Sequence, residues 1–271
     1  MNNIKRSSYG HIEGMTFQGL TPSAIEKLGG IGYSEVVVKR HGMSAKGPNS
    51  LEVVNEDDIL SNNSSNVVEE PDFTNSEVVL KDNYAPVSPV QVENEVVLSL
   101  NGKNITAPVF TESNGEVLEG DTDSYGLWVK KGGDLVIEGD GEVVAQDAKY
   151  SMAVWADGGN VTIKGGTYRN GGDSCDLIYA SNGGNVLIEG GEFFPNGPAS
   201  GTEPGTKNTH TALNVKDKDF KSGVSNIIVK GGVFHNFNPA DNLSESEHTN
   251  FVAEGYKSVE ISENVWEVIA E

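Results

Sequence analysis

Gly183–Phe193 reads GGNVLIEGGEF, and nearly the same phrase stands at Gly132 (GGDLVIEGDG), at Gly158 (GGNVTIKGGTY) and, shortened, at Ser225 (SNIIVKGGVF). A phrase that recurs along one chain marks a stack of like structural units. The closing glycines Gly139, Gly165, Gly190 and Gly231 lie 26, 25 and 41 residues apart. One coil therefore takes about 25 residues, and the third interval carries an insertion at residues 195–211.

Written beneath one another, the phrases form columns. Leu135, Val161, Val186 and Ile227 make one, and Ile137, Ile163, Ile188 and Val229 make another two residues on. A spacing of two places both columns on one face of a strand, here the interior. After the glycines Tyr168, Phe193 and Phe234 align as a core stack, with one ring per rung of about 4.8 Å. Between the inward columns runs an outward one, Val136, Thr162, Leu187 and Ile228, with three large apolar members. Such a strip is normally covered by something, and a copy of the same chain, as a homotrimer, is the expected cover. Beyond it Glu138, Lys164, Glu189 and Lys230 alternate in sign, as in-register stacking favours.

Each phrase is preceded by a second strand-like segment: Gly126–Val129, Met152–Trp155, Asp176–Tyr179 and Ala212–Val215. Asn250–Ala253 followed by Ser258–Ile261 reads as a last, atypical turn. The expected fold class is all-β: a right-handed parallel β-helix at 126–271, connecting strands and looser coils at 76–125, an acidic polar linker at 55–75 and an extended arm at 1–54.

On these residues the chain resembles the pectate-lyase-like right-handed β-helix superfamily, and within it bacteriophage head-fibre, decoration and tailspike proteins. The resemblance implies that Asp134, Asn160, Asn185 and Asn226, one before each strand, form a structural ladder of side-chain amides bonded from rung to rung. It also implies threefold assembly.

The composition agrees with many short strands: 36% hydrophobic residues and 33 glycines. Residues 1–50 carry six Lys/Arg against three acids, +3, and the other 221 carry 13 against 37, −24. A body so acidic repels nucleic acid and anionic membranes. The arm holds one short helix signal, Thr21–Leu28, with proline at its first position and Gly29–Gly30 as a stop, and one strand, Ser34–Arg40. It reads as an element that docks on a capsid or other virion protein. No secretory signal or membrane-spanning run is read, so the expected location is a virion assembled in the host cytoplasm.

Chemistry is sparse. Cys175 has no second cysteine to pair with, and His210, His235 and His248 show no metal-ligand spacing. Arg169 beside Asp173 and Asp176 is the nearest approach to a lyase set, and Asp140, Asp147 and Asp157 add acids near turns without a motif. The expectation is a structural, adhesive protein without catalytic residues, metal or cofactor and with a host-surface glycan as ligand. A polysaccharide lyase or hydrolase of tailspike type and a bacterial surface adhesin are the alternatives.

Overall fold

The structure, a computed structural model, describes residues 70–111, 122–171, 175–196 and 210–271, with three short strands nearer the N-terminus. The chain divides into two compact units, Met1–Val68 and Glu69–Glu271. In the first, β1 (Phe17–Gln18), β2 (Lys39–Arg40) and β3 (Ser50–Glu52) form an antiparallel sheet in the order β1-β3-β2. The helix expected at Thr21–Leu28, most of the 55–75 linker and most of the 195–211 insertion lie outside the described residues.

In the second unit the chain visits three sheets in rotation. The strands in order are β4 (Glu77–Val79), β5 (Val90–Val92), β6 (Glu95–Ser99), β7 (Lys103–Thr106), β8 (Asp123–Lys130) and β9 (Asp134–Glu138). They continue as β10 (Gly141–Val144), β11 (Tyr150–Asp157), β12 (Asn160–Ile163), β13 (Thr167–Arg169), β14 (Cys175–Ser181) and β15 (Asn185–Ile188). Last come β16 (Glu192–Phe194), β17 (His210–Val215), the helix α1 (Asp217–Ser222), β18 (Asn226–Val229) and β19 (Val233–His235).

Sheet I has the order β18-β15-β12-β9-β6-β4, sheet II contains β19-β16-β13-β10-β7, and sheet III is β17-β14-β11-β8-β5. Every pairing in these runs is parallel and joins strands one coil apart. The unit is all-β with stacked parallel sheets, an arrangement compatible with a β-helix. Its rungs begin at Glu77, so the strands β4 to β7, which fall in the expected connecting region, share the sheets of the later coils. Phe73, at the end of the expected linker, packs on the core.

The interior is built from the columns that the repeat defines. Leu135, Ile137, Val161, Ile163, Val186, Ile188, Ile227 and Val229 are all buried. Several glycines of the phrase, Gly133, Gly159, Gly184, Gly190 and Gly231 among them, stand where coils approach backbone to backbone. A Cβ on Gly184 would come within 2.1 Å of the Ala156 carbonyl oxygen, and one on Gly231 within 2.2 Å of that of Glu189. No side chain fits there, whatever its dihedral angles.

The C-terminus departs from the expected final turn. Val229 and Val252 form a parallel bridge, so Phe251–Ala253 does lie on sheet I. Ser258–Ile261, however, belongs to β20 (Tyr256–Ser262), which turns back through Asn264 at φ 56° into β21 (Val265–Ala270). That hairpin joins sheet II antiparallel, β21 against β19. An asparagine accepts the left-handed turn conformation, and two alternating runs on either side of it pair locally.

Candidate functional site

The outer face of sheet III carries an aromatic column that the sequence reading missed. Trp128, Trp155 and Tyr179 stand in register on successive rungs. The segments started at Met152 and Asp176 are in step, but the one started at Gly126 is one residue late, since Met152 pairs with Tyr125; matching tryptophan to tryptophan was the signal that would have corrected it. The two indoles lie 4.8 Å apart with planes 2° from parallel, and Tyr179 follows at 6.3 Å and 45°. Lys130 Nζ stands 4.1 Å over Trp128. With their faces turned to each other, the rings present edges outward. The column is therefore a spine along the stack rather than an open platform for a flat ligand.

A polar row runs beside this spine. Trp128 Nε1 donates to Asp157 Oδ2 at 3.0 Å, and Trp155 Nε1 to Ser181 Oγ at 2.9 Å. Asn182 Nδ2 donates to Asp157 Oδ1 at 2.6 Å, and Lys216 Nζ donates to Asn182 Oδ1 at 3.0 Å. Each residue is tied to another coil. At the other end of the same strands Thr211 Oγ1 donates to Asp176 Oδ1 at 3.1 Å, so this candidate acid stands apart from the polar row; Asp173 lies outside the described residues.

At the end of sheet III, Glu245 closes the free edge of β17 by accepting the Val215 N–H at 2.6 Å. Burial, with Asp217 and Asp176 nearby, pushes its carboxyl up to about 7. The loop that carries it is knit by Asn242, which donates from Nδ2 to the Thr249 carbonyl at 3.0 Å and accepts the Ser244 N–H at 3.1 Å. Burial and the surrounding carboxylates Asp176, Glu245, Asp219 and Asp217 hold the Tyr179 phenol well above its usual range.

On the outer face of sheet II, Arg169, Phe194 and His235 stack on consecutive rungs. The guanidinium carbon is 3.7 Å from the Phe194 centroid, and the imidazole centroid 3.9 Å on its other side. Glu142 pairs with Arg169 Nε, and Glu192 Oε1 lies 2.7 Å from His235 Nε2. Two basic groups singled out separately in the sequence thus meet in one stack, each held by a carboxylate. His248 lies elsewhere, 2.8 Å from Asp241, whose carboxylate holds the imidazole above its ordinary value.

Asp134, Asn160, Asn185 and Asn226 occupy matching positions of sheet I. Their side chains do not make the continuous ladder that the resemblance implies. Asn185 Nδ2 reaches Asn160 Oδ1 at 3.4 Å and the Gly183 carbonyl at 3.1 Å, while Asn226 turns to the Gly223 carbonyl at 3.5 Å. Tyr168, Phe193 and Phe234 stack inside, at 5.1 and 4.6 Å with planes 10° apart, and the Tyr168 hydroxyl donates to the Gly165 carbonyl. Val136, Thr162 and Leu187 are half-buried and Ile228 exposed, in register on the outer face.

Among the described residues no group of three or more His, Cys, Asp or Glu is placed to hold a metal ion, and no helix is long and apolar enough to cross a membrane. No family model, no curated protein and no solved structure matches this chain.

Proposed function

We propose that this chain is a structural protein of a bacteriophage particle: an exterior decoration or fibre with a right-handed β-helix that adheres to the host surface or its glycans. In this reading residues 1–54 attach to a capsid or other virion protein. The observation that carries it is how the outer faces use their polar groups. Trp128 to Asp157, Asn182 to Asp157, Lys216 to Asn182 and Arg169 to Glu142 all join one coil to another. Bonds of that kind stiffen a stack along its length, as a projecting element requires. A row of donors and acceptors repeating once per rung also suits a ligand that itself repeats, such as a glycan. The apolar strip on sheet I serves self-association.

The test is co-purification with a particle. The full chain is expected to sediment with virions, and a chain lacking residues 1–54 to stay in the supernatant. Equal sedimentation of both would remove the arm from the account. A second reading, a polysaccharide lyase or hydrolase, draws on the carboxylate-held Arg169 and His235. New reducing ends or unsaturated products from host capsule would favour it, and their loss in His235→Ala would assign them to this face.

A further inference from the structure

We propose that the outer face of sheet I seats a second copy of this chain running antiparallel, about a two-fold axis that passes between the rungs of β12 and β15. The proposal rests on the reading of this face as a self-association surface and goes on to give its partner, direction and register.

Three columns cover the face on four consecutive rungs. The middle one is Val136, Thr162, Leu187 and Ile228, the row on one side Asp134, Asn160, Asn185 and Asn226, and the row on the other Glu138, Lys164, Glu189 and Lys230. The charged row stays in step past the strand ends: Lys164 N–H donates to the Ile137 carbonyl at 2.8 Å, Glu189 N–H to that of Ile163 at 2.8 Å, and Lys230 N–H to that of Ile188 at 2.7 Å. Among the described residues none of these four charged groups makes an ion pair. The signs along the stack are therefore −, +, −, +, with every charge free to meet a partner.

A row of even length and alternating sign is complementary to its own reversal. Laid antiparallel about an axis between β12 and β15, Glu138 faces Lys230, Lys164 faces Glu189, and the symmetry repeats both contacts. All four facing pairs are opposite in charge. The same operation sets Thr162 against Leu187 and Val136 against Ile228, so a small residue meets a large one at the centre, and the lone Asp134 meets Asn226.

Other arrangements lose these matches. An axis through the β15 rung opposes Lys164 to Lys230, and one through β12 opposes Glu138 to Glu189. A two-fold along the stack lays each charged row on the partner's Asp/Asn row, with Glu138 over Asp134. Packed sheets stand about 10 Å apart, within reach of facing Lys and Glu side chains. Four rungs of about 4.8 Å by five residues of about 3.3 Å make a patch smaller than the roughly 800 Å² per partner of a standard complex. The dimer is accordingly weak, concentration-dependent and sensitive to salt.

Sedimentation velocity on the full chain tests this. Expected is a dimer that grows over micromolar concentrations and recedes as salt rises. Lys164→Glu and Glu189→Lys, both at exposed positions, should each be monomeric, because each creates two like-charged contacts about the axis. Mixed in equal amounts, the two variants should form a heterodimer, since all four facing pairs are then opposite. Circular dichroism checks that both remain folded. A trimer, a dimer that survives either reversal, or a mixture that stays monomeric would each overturn the antiparallel arrangement. A wild-type chain that is monomeric throughout would also retire the reading of this face as a self-association surface.

Discussion

Inside sheet II, Tyr168, Phe193 and Phe234 stack over three rungs at 5.1 and 4.6 Å; outside it, their chain neighbours Arg169, Phe194 and His235 stack over the same rungs at 3.7 and 3.9 Å. Parallel rungs recur at a spacing close to that of packed rings, so a column of flat groups can stack whichever way it points, as these two do. Stacking is thus no mark of core. What separates the two is water: the inner rings are fully buried, whereas the outer column keeps contact with solvent and has Glu142 beside Arg169 and Glu192 beside His235.

The largest test of that contrast is Phe193→Ala, which empties the middle of the inner stack and should cost about 3–5 kcal/mol in denaturant unfolding. A cost below about 1 kcal/mol would mean that this ring is not core.

Glu245 sharpens the contrast because it is an outer group drawn under cover. Its folded-state pKa is raised from 4.5 to about 7, so the folded chain holds this proton more tightly than the unfolded one. The stability that results is full below about pH 4.5 and is lost as pH rises through about 7. Discounted for partial exposure, the effect is about 1–2 kcal/mol. Glu245→Gln should therefore gain on the wild type in melting temperature between pH 5 and pH 8. Parallel pH profiles would show that the carboxyl is solvated.

Phe194→Ala removes the middle of the outer stack and should cost about 1 kcal/mol, well below its inner counterpart. Lys164→Ala, exposed and unpaired within the chain, should fall within about 0.5 kcal/mol of wild type by thermal melting. If the two phenylalanines cost the same, the inner and outer faces of sheet II are not distinguished by burial.

The inward columns were legible because the phrase from Gly183 to Phe193 repeats with near-constant length, so Leu135, Val161, Val186 and Ile227 align without a gap. The outer column of sheet III was not, because Trp128 stands seven residues before Leu135 but Trp155 only six before Val161, which shifts the two indoles by one place when the segments are aligned from the phrase. The stack of Arg169, Phe194 and His235 was hidden for a different reason. Its members share no chemistry, and only the pairing of β13, β16 and β19 brings them together. Glu245 reaches the edge of β17 from a loop 30 residues farther along, a contact that no local pattern encodes.

The hairpin at the C-terminus bears on aggregation. A parallel sheet that stopped at β19 would offer three residues of open backbone to any extended chain nearby. β21 occupies that edge, which leaves β20 as the outermost strand. β20 carries the exposed charges Lys257 and Glu260, and its register with β21 breaks between Glu260 and Ser262. Charged side chains and a bulge are both poor templates for further pairing. Concentrated solutions of the folded chain should therefore resist growth into fibrils from this end.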